Sequence, residues 1–298
     1  MLKRRIIQTL SLLLYNADIV KFKTGSISKS PLKNVCVPGL NCYSCPGAIA
    51  SCPLGGLQNA LAEGRVPFLV GGIILLFAVM LGRTVCGFLC PVGLAQELLY
   101  KIPSPKMQKN HITRRLTLLK YGFLAVLVIG LPLASFAAQG YGAPFFCELV
   151  CPAGTLEAGL PLVLTNEDIR GAAGILFIWK VGVLIAITAL CVFCFRAFCR
   201  FVCPLGALYG LFNKYAVFGL RLNEAVCNHC EKCVKHCKMD IKSVNDRECI
   251  RCGQCASACP SQALTHTFLK NSSNEAVPKL QFLEQPQITR RKNELSQI

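Results

Sequence analysis

Residues 227–259 read CNHCEKCVKHCKMDIKSVNDRECIRCGQCASAC, and Pro260 follows. The pattern is Cys227-x2-Cys230-x2-Cys233-x3-Cys237, eleven further residues, then Cys249-x2-Cys252-x2-Cys255-x3-Cys259. In a tandem [4Fe–4S] arrangement, three closely spaced thiolates hold three irons of one cubane and the fourth ligand comes from the other run. On that rule Cys227, Cys230, Cys233 and Cys259 bind one cluster, and Cys249, Cys252, Cys255 and Cys237 bind the second. CxxC is also zinc spacing, but zinc needs only four cysteines at looser separations and gives no reason for the third and fourth thiol of each run. One departure is local: Lys238 follows Cys237 where proline is usual.

Outside these runs the composition is that of a membrane chain. Of 298 residues, 53% are hydrophobic and 16% charged, which is too apolar for an ordinary soluble protein. The formal charge of +17 fits Lys and Arg gathered on a cytoplasmic membrane face, so lipid and not nucleic acid is the expected partner. Twenty cysteines at regular short spacings are not a disulfide framework, which belongs to small secreted domains. Thiolates kept reduced imply a reducing, anaerobic setting.

The chain divides in order. Residues 1–33 form an N-terminal anchor segment: Lys3-Arg4-Arg5, then an apolar run over 6–20 interrupted by Asn16 and Asp18. That run is shorter than the roughly 20 residues of a full span, so it either spans or lies in the interface. Residues 34–65 form an outer Cys-rich loop, with Cys36, Cys42, Cys45 and Cys52 among Gly and Pro. Residues 66–215 form a membrane domain, with apolar helices expected over 66–82, 116–137 and 173–195. Residues 216–270 are the ferredoxin domain, and 271–298 a polar tail expected to be disordered.

CxxxCPxG occurs three times, at Cys86–Gly93, Cys147–Gly154 and Cys199–Gly206. Cysteines at i and i+4 of a helical turn share a face, so each motif presents two thiolates together, and two motifs make the four ligands of one cubane. Three spans place the motifs at 86 and 199 on one side and the motif at 147 on the other. Lys101, Lys106, Lys109, Arg114, Arg115, Arg196 and Arg200 make the 86/199 side cytoplasmic. The acidic 138–172 loop, with Glu157, Glu167 and Asp168, then lies outside, together with the 34–58 loop. Cys86, Cys90, Cys199 and Cys203 form an inner cluster, and four of Cys36, Cys42, Cys45, Cys52, Cys147 and Cys151 an outer one. About four [4Fe–4S] clusters are therefore expected. Cys191 and Cys194, inside the third helix, read as small apolar membrane residues or as extra ligands.

A helix ending in CxxxCPxG, a second helix, another helix ending in CxxxCPxG and a C-terminal two-cluster ferredoxin resemble the NapH/NosR family of membrane iron–sulfur proteins. The resemblance covers roughly residues 66–265, with Cys86, Cys90, Cys199 and Cys203 at the family's two motifs. It implies electron transfer, with quinol oxidation or delivery to a reductase as possible roles. No FMN-binding domain or CxxCH haem signature is visible in the sequence. Lys180 beside Trp179 either snorkels to the outer interface or serves the outer cluster or a quinone head group. Lys120 is expected to snorkel, and Arg83, Arg196 and Arg200 to offset cluster charge or to obey the positive-inside rule. His111, His229, His236 and His266 are not spaced as a site, and no catalytic residue is expected.

The expected architecture is thus an α-helical multi-pass membrane domain plus a C-terminal α+β two-cluster ferredoxin domain. The expected role is an electron-transfer subunit of an oxidoreductase in the cytoplasmic membrane, its ferredoxin domain in the cytoplasm. Its expected partners are redox proteins on one or both faces. The alternatives are a quinol dehydrogenase subunit and a redox-sensing regulator.

Overall fold

The structure, a computed structural model, describes residues 2–268. The tail over 271–298 lies outside the described residues. Helix α1 (Leu2–Tyr15) packs beside two short helices, α4 (Thr84–Phe88) and α5 (Pro91–Leu99). Three apolar helices form the middle of the chain: α3 (Phe68–Met80), α6 (His111–Gln139) and α9 (Ile175–Phe193). Of these, α6 and α9 are long and apolar enough to cross a membrane, whereas α3 has only 13 residues. Large apolar side chains on all three, including Leu75, Val126, Ile178 and Ile185, face outward.

Four further helices carry cysteine motifs at the ends of these spans. They are α2 (Pro53–Ala62), α7 (Phe145–Leu149), α10 (Ala197–Phe201) and α11 (Pro204–Phe212), with the helical run α8 (Pro152–Gly154, Thr155–Gly159 and Leu160–Thr165) between α7 and α9. The 138–172 segment is therefore largely helical and not an open loop. Its middle, Thr155–Gly159, is a π turn, as is Leu124–Gly130 within α6. Pro161 and Pro132 sit just beyond these turns, where a missing N–H and a ring clash upset the regular i to i−4 ladder.

The C-terminal domain is small. Strands β1 (Phe218–Leu222) and β2 (Leu264–Phe268) pair antiparallel, Phe218 opposite Phe268 and Leu222 opposite Leu264. The cysteine runs lie between them, with one short helix in each, Lys232–His236 and Gln254–Ser257. This domain is fixed to the helices by buried charges. Glu248 accepts from Arg83 at 2.8 Å and from Lys120 at 2.6 Å. Asp240 pairs with Arg200 and accepts from the Thr113 hydroxyl at 2.8 Å. Lys120 is 0% exposed, so the expectation that it snorkels is corrected: its partner is a carboxylate of the ferredoxin domain, and the pair is closed off from water. Arg83 and Arg196 are also fully buried and ion-paired, so they are not merely cations counted on a membrane face.

Candidate iron–sulfur sites

Four of the six Cys-Pro steps fold the same way. Cys52, Cys90, Cys151 and Cys203 are N-cap residues with extended backbone, and the proline occupies the first helical turn. Proline is at home there because that N–H has no intrahelical partner and its φ is already helical. The third residue after each cysteine is glycine, and its N–H is aimed at the capping sulfur: Gly55 at Cys52, Gly93 at Cys90, Gly154 at Cys151 and Gly206 at Cys203. For Cys203 the N···S distance is 3.3 Å. A sulfur thus takes the role that a Ser or Asp oxygen plays at an ordinary N-cap, with the positive end of the helix dipole behind it.

Cys86, Cys90, Cys199 and Cys203 line one cavity, together with Pro38, Leu40 and Tyr209. Its free space is about 10 Å³, so the four thiols stand close together. Burial pushes the Cys90 thiol up to about 12, and the Cys199 and Cys86 thiols push the same way. Burial also raises Cys86, opposed chiefly by the Arg83 guanidinium. Arg196 Nη1 donates to Cys86 O at 2.5 Å, and its other nitrogens reach Glu97 at 2.8 and 2.7 Å. Arg4 completes this network with a 2.5 Å contact to Glu97, which ties α1 to the inner site.

A second cavity, of about 230 Å³, is lined by Cys42, Cys52, Cys147 and Cys151, with Leu40 and Lys180. This cavity brings together four of the six outer cysteines. Burial holds Cys147 well above the usual thiol range, with Cys151, Cys52 and Cys42 adding to it. Burial pushes Cys151 up to about 12, with Cys52 again among its neighbours. Cys45 is not in this set: its Sγ lies 3.4 Å from Asn16 Oδ1. Nor is Cys36, whose backbone bridges Ser51 and whose sulfur faces Gly56. A half-buried carboxylate, Glu157, accepts from the Cys42 N–H at 2.7 Å, and removal from water pushes it up to about 7. Glu157 is thus part of the site and not, as its sequence position suggested, an outward acidic charge.

The expectation that the 34–58 loop sits only with Cys147 is also corrected. Pro38–Leu40 reaches the inner cavity, and Leu40 lines both cavities. Gly39 comes so close to Cys90 that an added Cβ would sit 3.2 Å from its Cα. The Tyr209 hydroxyl donates to Pro38 O at 2.8 Å, with Cys86, Cys52 and Cys90 near the ring. The two sites therefore share a lining residue, Leu40.

In the ferredoxin domain, burial pushes Cys237 up to about 12, and the neighbouring Cys249 and Cys252 thiols add to this. Cys237 of the first run thus lies beside two cysteines of the second. Cys233 is raised by burial, with Cys227 and Cys230 beside it. Cys259 faces the Ser261 hydroxyl at 3.5 Å. The second run abuts the inner site: a Cβ on Gly87 would lie 2.4 Å from Ile250 O. Cys191 and Cys194 do not line the inner cavity. Cys191 lies 3.6 Å from Gln96 Oε1 and Cys194 lies 3.7 Å from Arg200 Nη1.

Two glutamines without a role in the sequence reading touch the sites. Gln58 Nε2 donates to Cys147 Sγ at 3.1 Å and Gln96 Nε2 to Cys199 Sγ at 3.0 Å. Their signal was present in the sequence as Cys-Pro-x-Gly-x-x-Gln, at Cys52–Gln58 and again at Cys90–Gln96.

The donor set fits iron–sulfur clusters. All these thiols except the exposed Cys230 are buried or partly so, and a thiolate there needs compensating positive charge of the kind cluster iron supplies. Among the described residues, no three His, Cys, Asp or Glu side chains gather closely enough for a single metal ion. Comparison with known proteins agrees. A 4Fe-4S binding domain model matches residues 63–110, 122–160 and 175–223, and a second 4Fe-4S binding domain model matches 242–265. An uncharacterized protein of Methanocaldococcus jannaschii is 32% identical over 229 residues, 73% of this chain and 86% of its own length. The ferredoxin-type protein NapH of Escherichia coli is 25% identical over 242 residues, 72% of this chain and 74% of NapH. The regulatory protein NosR of Pseudomonas aeruginosa is 30% identical over 185 residues, which are 58% of this chain but 23% of NosR. No solved structure matches.

Fold and sites together define an iron–sulfur protein of ferredoxin type, whose general function is electron transfer. The chain belongs to the NapH/NosR-like family of 4Fe–4S ferredoxin-type proteins.

Proposed function

We propose that the chain is a membrane electron-transfer subunit that carries four [4Fe–4S] clusters in a row. The ferredoxin pair is held by Cys227, Cys230, Cys233 and Cys259 and by Cys249, Cys252, Cys255 and Cys237. The inner cluster is held by Cys86, Cys90, Cys199 and Cys203, and the outer one by Cys42, Cys52, Cys147 and Cys151. Helices α6 and α9, apolar and outward-facing, cross the membrane with the ferredoxin domain on the cytoplasmic side. The observation that carries this reading is continuity. The Cys249 run touches Gly87 of the inner motif, and Leu40 belongs to both cavities. Bound clusters supply one-electron carriers. The protein supplies capping N–H groups, buried guanidinium charge and exclusion of water, which together set potentials. A redox protein on each face is the expected donor or acceptor.

One observation favours a second reading, a quinol dehydrogenase subunit. Lys180 lines the outer cavity beside Cys147, Cys151 and the apolar Leu162, so a cation stands where a quinone oxygen would meet the outer cluster.

Anaerobic purification in detergent, with iron and acid-labile sulfide counted per chain, tests the first reading: about sixteen irons are expected, and about twelve would remove the outer cluster. In liposomes, a reductant on the ferredoxin side should reduce an impermeant acceptor on the other, and failure at full iron content would overturn the conduit. Reduction of the clusters by a quinol analogue would support the second reading.

A further inference from the structure

The two helix-domain sites are built on one plan, and the plan includes a residue that is not a cysteine. In the inner site Gln96 Oε1 accepts from the Phe198 N–H at 3.1 Å and the Cys199 N–H at 3.4 Å. Its Nε2 donates back to Val92 O at 3.2 Å and forward to Cys199 Sγ at 3.0 Å. In the outer site Gln58 Oε1 accepts from the Phe146 N–H at 3.0 Å. Its Nε2 donates back to Leu54 O at 3.4 Å and forward to Cys147 Sγ at 3.1 Å. Each glutamine lies six residues after a capping cysteine, and each grips a Phe-Cys pair that opens a CxxxCP motif from another part of the chain. Both are buried, Gln58 at 0% and Gln96 at 4% exposure.

The amide orientation is fixed by its surroundings. A backbone N–H can only donate, so the oxygen must face the Phe-Cys backbone, and the NH₂ group is left with the helix carbonyl and the sulfur. A buried amide whose donors and acceptor are all satisfied would serve packing alone if its second hydrogen met any acceptor. In both sites that acceptor is a cysteine sulfur at the same motif position.

We propose that Gln58 and Gln96 are paired positioning residues that set the reduction potentials of the outer and inner clusters, each through one N–H···S bond to the first cysteine of its second motif. The proposal rests on the four-cluster reading above. An N–H donor withdraws charge from the sulfur and favours the more negative, reduced cluster, so it raises the midpoint potential. The pairing also makes the outer site a structural duplicate of the inner one. Its first cysteine is displaced to Cys42 in place of a residue four before Cys52.

The test is an EPR-monitored redox titration of the anaerobically purified, cluster-loaded full chain, with Gln58→Glu, Gln96→Glu, Gln58→Leu and Gln96→Leu made singly. Glutamate keeps an oxygen for the backbone N–H but loses the donor to sulfur. Each Glu variant should retain full iron and lower the midpoint of its own cluster only. Each Leu variant should lower the same midpoint in the clusters that remain bound, with some loss of iron because the Phe-Cys backbone is no longer held. Unchanged midpoints in Glu variants at full iron would overturn the proposal, as would a single variant that moves both clusters equally. A wild-type chain with about twelve irons would instead remove the outer cluster. The Gln96 pair would still test the inference at the inner site.

Discussion

The inner site keeps four cysteines in a tight pocket flanked by the guanidinium groups of Arg83 and Arg196, while the outer site surrounds a larger cavity lined in part by Lys180, with the Glu157 carboxylate holding the Cys42 N–H. The cysteine caps, the glycines behind them and the gripping glutamine are the same in both. What differs is charge and access to water, and those are two of the means by which a protein tunes a cluster. On the proposed four-cluster arrangement, a single architecture would offer two potentials in series, one beneath the ferredoxin domain and one at the larger outer cavity. The family models reach both motif pairs, but the 34–58 loop that completes the outer site lies ahead of the first match, which begins at residue 63.

The strongest way to break the comparison is to remove ligands one site at a time. Cys199→Ser should cost the inner cluster, and with it passage from the ferredoxin domain to the outer side. Cys147→Ser should cost the outer cluster and leave the ferredoxin pair and the inner cluster reducible by dithionite. Each should drop iron by about four per chain. Cys36→Ser and Cys45→Ser should leave the count unchanged, since neither sulfur lines the outer cavity. Loss of iron from either of these two would mean that the outer set has been assigned wrongly.

The next effect concerns the inner site alone. Among the described residues, Glu248 is the one acidic partner of both Arg83 and Lys120, and all three are buried. Replacement by Gln leaves two uncompensated cations under the ferredoxin domain. Breaking a buried ion pair by removing one partner costs about 3–5 kcal/mol, so thermal unfolding of Glu248→Gln should begin well below wild type and the ferredoxin signals should be lost first. Replacement of the exposed Glu63, paired with Arg65 on the surface, should leave the unfolding temperature within error.

Much of this was legible in the sequence. The tandem runs, the CxxxCPxG motifs and the apolar helices all announce themselves because spacing and hydropathy are local properties. The inner ligand set followed from two copies of one motif. The outer set did not, because Cys42 and Cys52 stand ten positions apart and come together with Cys147 and Cys151 only through tertiary packing. Lys120 and Glu157 were misjudged for a related reason. A charge in or beside an apolar helix is read as seeking water unless its partner is known, and their partners, Glu248 and the Cys42 N–H, lie 128 and 115 residues away. Local rules could have found Gln58 and Gln96, since Cys-Pro-x-Gly-x-x-Gln occurs at both sites, but they give no reason for a glutamine until its sulfur partner is seen.

A smaller effect separates docking from ligation. Gly87 follows an inner ligand and lies under Ile250 of the ferredoxin domain, where a Cβ would come within 2.4 Å of a backbone oxygen. A backbone atom has little freedom to move aside, so Gly87→Ala should lift the domain from the inner site. Overpacking of this kind costs about 1–3 kcal/mol. All clusters should remain, with electron passage between the ferredoxin pair and the inner cluster slowed in stopped-flow reduction. An unchanged rate would mean that electrons reach the inner site by another route.

The smallest expected effect lies between the two sites. Tyr209 is fully buried, and its hydroxyl holds Pro38 O at 2.8 Å, which keeps Pro38–Leu40 inserted between inner and outer cavities. Tyr209→Phe keeps the ring and removes only that bond. The net loss should be about 0.5–1.5 kcal/mol, a modest fall in unfolding temperature, with the larger value if Pro38 O is left without a partner. Because Leu40 borders both cavities, the loosened segment should alter the magnetic interaction between the reduced inner and outer clusters more than either midpoint potential. EPR line shapes of the fully reduced protein read that interaction directly. Line shapes identical to wild type, with the fall in stability present, would show that Tyr209 braces the segment without governing the separation of the two sites.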